Sequence, residues 1–180
     1  YVPLLRPIAE AGHPVFIVKL PWRFAPLDSH RDEAIARARE LMAAHAETAQ
    51  WVAAGHSLGA AIAARWLQQP PPAVVGLVLL GSTHPKDHDL SALALPVTKV
   101  YAGNDEVAPT RRVLANRKLL PVTTRWVEIP GGNHSQFAHY GHQLFDGDAV
   151  ITREAQQQLA RNALLQALGS AQPSPAGTTS

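Results

Sequence analysis

The run Gly55-His56-Ser57-Leu58-Gly59 has the spacing G-x-S-x-G and lies between a strand-like run and an apolar helical stretch. A chain turning that sharply from strand to helix holds its serine in a strained backbone conformation, with the hydroxyl exposed above the sheet. Side chains two before and two after the serine would collide, which predicts a need for glycine at both positions. Ser57 would also stand at a helix N-terminus, where free N–H groups favour developing negative charge. The Leu58 N–H is the expected oxyanion donor. A serine hydroxyl is a poor nucleophile without a base, and the base needs an orienting carboxylate. Asp105, in AGNDEVAP, follows a strand-like run and is lifted by the turn residues Gly103 and Asn104. Asp87 and Asp89 are alternative acids, and the side chain of Glu106 should point another way. His134, in IPGGNHSQF, follows the last strand-like run, and the Gly-Gly-Asn loop leaves its backbone free to hang an imidazole over the sheet.

The remaining candidates surround these three. His56 is fixed by the turn and is read as either a pocket residue or a structural one. Trp22 and Phe24, after one strand, and Phe137, beside the histidine, are candidates for an apolar pocket wall or for packing. His134, His139 and His142 match none of the helix-borne zinc spacings, so no metal is expected. No G-x-G-x-x-G follows a strand, so no dinucleotide cofactor is expected.

These residues need elements to carry them. Apolar spacing predicts helices over 2–11, from Asp28 or Ser29 to about 46, over 58–69, over about 110–119, and from a Thr152 cap to Gly169. Short β-branched or continuous apolar runs predict strands over 14–20, 50–55, 74–80, 97–102 and 125–129. Strands alternating with helices imply an α/β three-layer sandwich, a mainly parallel sheet of about five strands with helices on both faces. Ligands in such sheets bind beyond the carboxyl ends of the strands, where Ser57, Asp105 and His134 fall. Residues 1–168 form one expected domain, and 169–180 read as a disordered tail poor in apolar residues.

Composition agrees with one globular domain. The chain is 46% hydrophobic and 17% charged, with 16 basic against 14 acidic residues and a net charge of +2. That balance gives no case for nucleic acid as a partner, and the adjacent basic pair Arg111-Arg112 reads as a solvated helix face. The absence of cysteine excludes disulfides, thiolate metal sites and a cysteine nucleophile but does not fix a compartment. No apolar stretch of about 18 residues is present.

GHSLGA, the AGNDEVAP turn and GGNHSQF together resemble the α/β-hydrolase superfamily of serine esterases, lipases and related enzymes, over nearly all of residues 1–168. The resemblance implies Ser57 as nucleophile, Asp105 as acid, His134 as base and Leu58 as an oxyanion donor. HSQFAHYGHQLFDGDAVITREAQQQ and VKLPWRFAPLDS are further similar to a bacterial subgroup of compact hydrolases whose substrates are poorly defined. Dienelactone hydrolases share the fold but typically use cysteine, so Ser57 argues against that activity. The implied activity is acyl transfer through an acyl-enzyme, with a small-molecule carboxylic ester as substrate. A thioesterase, a C–C hydrolase, a cofactor-free haloperoxidase and a non-catalytic binding module of the same fold are the alternatives. Only about fifteen residues separate the third strand from the fourth, too few for a large lid.

The resemblance also carries a departure. The strand that precedes the first helix in that fold, and the loop that supplies the second oxyanion donor, have no counterpart here. The expected fold is therefore an N-terminally truncated one, with 1–180 a fragment of a longer product. Such a fragment should melt below the product that restores the strand, and equal melting temperatures would oppose this expectation.

Overall fold

The computed structural model describes residues 1–171 apart from Phe24 and Pro26, and only the backbone of Arg23. Four strands form one parallel sheet in the order β1-β2-β3-β4: β1 (Trp51–His56), β2 (Val74–Leu80), β3 (Val97–Ala102) and β4 (Arg125–Ile129). Among the described residues, five α-helices accompany them: α1 (Val2–Glu10), α2 (Asp28–Ala44), α3 (Leu58–Trp66), α4 (Thr110–Ala115) and α5 (Arg153–Ala171). Alternation along β2 sorts the core into two layers. Val78 and Leu80 join Leu4 and Ile8 of α1 and Ala160, Ala163 and Leu164 of α5. Leu77 and Leu79 face the opposite way, onto Ala60, Ala63 and Ala64 of α3. This is the three-layer α/β arrangement that the alternating elements predict. Among the described residues, no helix is long and apolar enough to cross a membrane.

The count of about five strands needs correction. Residues 14–20 form no strand, and the sheet has four. Phe16 packs on His45 and Trp51 at ring distances of 4.5 and 5.4 Å, but the segment makes no ladder with β1. A cavity of about 440 Å³ lies between them, lined by Val15, Ile17 and Val18 on one side and by Val52, Ala53 and Ala54 on the other. β-propensity supplies only one half of a pair, and across that gap no backbone partner is within reach. β1 is consequently an edge strand.

Helix boundaries shift for local reasons. Leu27 is the N-cap of α2 and makes no side-chain cap bond, while Asp28 is already helical and pairs with Arg31 at 3.0 Å. α3 ends at Trp66, before the prolines at 70–72. α4 gives way to a 3₁₀ turn over Arg117–Leu119. Thr152 caps α5 as expected, its Oγ1 accepting the Ala155 N–H at 3.1 Å. α5 continues through Gly169 to Ala171, and the rest of the expected tail lies outside the described residues.

The β1-to-α3 turn has the strained geometry that its sequence predicts. Ser57 has φ 53° and ψ −118°, a conformation essentially reserved for glycine. The two flanking glycines are not equivalent, which corrects the expectation that both are required. A Cβ on Gly55 would sit 2.3 Å from the Gly59 carbonyl oxygen, whereas one on Gly59 would meet nothing within 4 Å. The close approach of the two backbones therefore rests on Gly55 alone.

β3 holds an unusual core residue. Lys99 is 1% exposed, and its Nζ donates to the His84 carbonyl at 2.5 Å. Burial pushes its ammonium down to about 7, a shift partly opposed by the carboxylate of Asp105.

Two predictions follow from these features. Gly55→Ala should cost about 1–3 kcal/mol through overpacking against fixed backbone, whereas Gly59→Ala should be neutral or stabilising by up to about 1 kcal/mol. Thermal melts monitored by circular dichroism compare them, and equal losses would contradict the asymmetry. Lys99 is neutral in the fold at a pH where the unfolded chain, with a lysine pKa of about 10.4, still binds its proton. Its contribution to stability is present above the unfolded pKa and is lost as pH falls toward about 7. Lys99→Met should flatten the rise of melting temperature between those limits, and parallel curves for parent and variant would overturn this.

Candidate active site

Ser57, Asp105 and His134 each follow the carboxyl end of a strand, on β1, β3 and β4 respectively. Ala102 and Ile129 are register partners at the ends of β3 and β4, so the loops that follow leave the sheet side by side. Backbone bonds tie those loops together. Gly103 N–H donates to the Ile129 carbonyl at 3.0 Å, and Asn104 N–H to the Gly132 carbonyl at 2.8 Å. Gly131 turns the second loop with φ 71°.

The tied loops bring Asp105 and His134 into contact. Asp105 Oδ2 and His134 Nδ1 are 2.9 Å apart, with the two residues 2% and 1% exposed. Asp105 Oδ1 accepts the Ala108 N–H at 2.6 Å, which orients the carboxylate from its other oxygen. A carboxylate accepts, so Nδ1 carries the hydrogen of a neutral His134 and Nε2 keeps its lone pair. That Nε2 is buried and has no partner among the described residues. Asp87 and Asp89, the alternative acids, are exposed, and Asp89 is engaged with the Ser91 N–H at 2.8 Å. Glu106 is exposed as well.

The His134 ring leans toward β1, with its centroid 4.6 Å from that of His56. Ser57 is the next residue and is half-buried. No hydrogen bond joins its hydroxyl to His134 among the described residues. Contacts of this kind are often long in unliganded sites and tighten when substrate binds. The Leu58 and Gly59 N–H groups belong to the first turn of α3, which leaves them without intrahelical acceptors.

The expected pocket residues separate. His56 packs against both His134 and Phe137, and its Nδ1 is hydrogen-bonded to the Tyr1 hydroxyl at 2.7 Å. Burial, reinforced by the charge of His134, holds the His56 imidazole down to about 3, so it stays neutral at ordinary pH. Phe137 is fully buried in the core layer of α1 and α5 and supports His56 from beneath. Trp22 is 76% exposed, and its ring contact is to His30 of α2 at 6.5 Å. Phe24 lies outside the described residues. His139 and His142 are exposed, and no group of three metal-ligating side chains occurs among the described residues.

Three supporting residues were not legible as site residues. Tyr1 reaches His56 from the helix layer. Gln156 of α5 is fully buried and clamps Asn133, accepting its N–H at 2.9 Å and donating to its carbonyl at 2.7 Å. Asp146 bonds to the backbone of His134 itself. The sequence signal for Gln156 is a polar residue, next to the equally buried Gln157, on the helical face continued by Ala160, Ala163 and Leu164.

Known proteins agree with this geometry at the level of fold. No curated protein matches the sequence. Among solved structures, the chain is similar to a predicted hydrolase from Thermoplasma acidophilum (16% identity, TM-score 0.55), aligning over 77% of this chain and 59% of that one. It is also similar to a thermophilic esterase from Thermogutta terrifontis, with 12% identity, a TM-score of 0.61 and coverage of 79% and 73%. A monoacylglycerol lipase from Paleococcus ferrophilus gives 13% identity, a TM-score of 0.58 and coverage of 79% and 76%. The chain thus spans less than two thirds of the Thermoplasma hydrolase. The family model described as "Alpha/beta hydrolase family" matches residues 1–158, and the chain belongs to that family.

Proposed function

We propose that this chain carries the site of a serine hydrolase that cleaves an ester-type acyl bond. The observation that carries the reading is the buried Asp105–His134 hydrogen bond of 2.9 Å, with an unpartnered Nε2 beside the strained Ser57 turn. In this reading neutral His134 takes the Ser57 proton through Nε2 as Oγ attacks the acyl carbonyl. The Leu58 N–H donates to the oxyanion of the tetrahedral intermediate. His134 then protonates the leaving group, and water attacks the acyl-enzyme by the same route in reverse. Asp105 stays ionised and holds the imidazole. The substrate class is a small carboxylic ester, in keeping with the short connection between β2 and β3. The resemblance in fold to an esterase and a lipase supports the same class.

One observation favours a second reading. Ser57 and His134 share no hydrogen bond among the described residues, and a non-catalytic binding module of the same fold would need none. Hydrolysis of a short-chain p-nitrophenyl ester by the parent and by Ser57→Ala separates the two. Loss of the nucleophile should lower kcat by at least about 1,000-fold. A parent that is folded yet inert toward esters, thioesters and amides would favour the binding module.

A further inference from the structure

We propose that Asp146 is a positioning residue for His134, fixing the backbone from which the imidazole hangs. This rests on the serine hydrolase reading for its effect on rate, but not for its effect on the loop. Both oxygens of the Asp146 carboxylate are engaged. Oδ1 accepts the His134 N–H at 3.1 Å and the Gly147 N–H at 2.9 Å. Oδ2 accepts the Ser135 N–H at 2.8 Å and the Ser135 hydroxyl at 2.7 Å. The Ser135 oxygen in turn accepts the Gln143 N–H at 2.8 Å, which draws the loop carrying Asp146 onto the turn it caps. His134 itself is the N-cap of the 3₁₀ turn Ser135–Phe137, and its own side chain makes no cap bond because it faces Asp105. The N–H groups at the start of that turn therefore need an acceptor from elsewhere, and Asp146 supplies it.

A second, independent feature points the same way. Phe145, immediately before Asp146, has φ 65° and is 83% exposed. A left-handed phenylalanine is strained, and here its ring gains no burial in return. The left-handed turn, which glycine adopts without strain, is what brings Asp146 to the His134 loop. Charge-assisted bonds to a carboxylate are roughly twice as strong as neutral ones, so the four contacts offset that strain. His134 is thereby held at two ends by two different carboxylates. Asp105 sets the rotation of the ring, and Asp146 sets the position of its Cα. An imidazole displaced by about 1 Å can cost on the order of a hundred-fold in rate.

The test compares Asp146→Ala, Asp146→Asn and Phe145→Gly with the parent. In Asp146→Ala, kcat for the p-nitrophenyl ester should fall by about 10- to 100-fold with KM unchanged within about twofold. Hydrogen exchange at the His134 and Ser135 amides, read by NMR, should accelerate at those positions while the β2 amides keep their protection. Asp146→Asn retains one acceptor oxygen and should give an intermediate loss, which keeps the proposal testable if the alanine variant does not fold. Phe145→Gly removes the strain but not the carboxylate, so it should melt no lower than the parent with kcat unchanged. A kcat for Asp146→Ala within twofold of the parent, or unchanged exchange at His134 and Ser135, would overturn the proposal. If Ser57→Ala is as active as the parent while exchange at His134 responds to Asp146, the hydrolase reading fails and the loop-positioning role stands.

Discussion

The hydrogen bond between Asp105 and His134 constrains everything around it. It joins two loops that are 29 residues apart in sequence, and it closes because β3 and β4 are parallel neighbours whose last residues are in register. Three residues beyond Ala102 and five beyond Ile129, the two side chains meet with almost no solvent access. A carboxylate so buried needs its lone pairs engaged, and Asp105 meets that need with one backbone N–H and one imidazole. The orientation of Nε2 toward the β1 turn then follows from which ring nitrogen the acid has taken.

The charges around this pair are arranged with some economy. His56, pressed against the His134 ring, is kept neutral by burial and so adds no second positive charge beside the proposed base. Lys99 lies behind Asp105 in the core, where burial weakens its hold on a proton and the carboxylate partly restores it. Ionic groups seldom enter a core without a partner, and Lys99 has the His84 carbonyl as well as the field of Asp105.

Much of this was legible in the sequence, for identifiable reasons. Ser57 was legible because the turn demands a small neighbour, although that demand falls on Gly55 and not on Gly59. The four paired strands were legible because each carries a continuous β-forming run with a neighbour to pair with. Residues 14–20 carry an equally convincing run, but being a strand is a relation between two segments, and no partner lies alongside. Asp105 and His134 could be named from their positions after strands. Asp146 and Gln156 could not, because their hydrogen bonds depend on the path of an irregular loop and on which helical residue meets it. No periodicity encodes either.

The edge position of β1 shapes the native ensemble as well as the fold. β2 is laddered on both sides, so its amides exchange with solvent only when the sheet itself opens. β1 is laddered on one side, and the amides on its other edge look into a cavity rather than onto a neighbouring backbone. Small excursions of β1 therefore break fewer bonds than the same excursions of β2. The serine thus follows one edge strand, β1, and the histidine follows the other, β4, while the aspartate follows β3, which is laddered on both sides. The distance between the proposed nucleophile and the proposed base therefore depends on the stiffness of two edge strands rather than on the centre of the sheet.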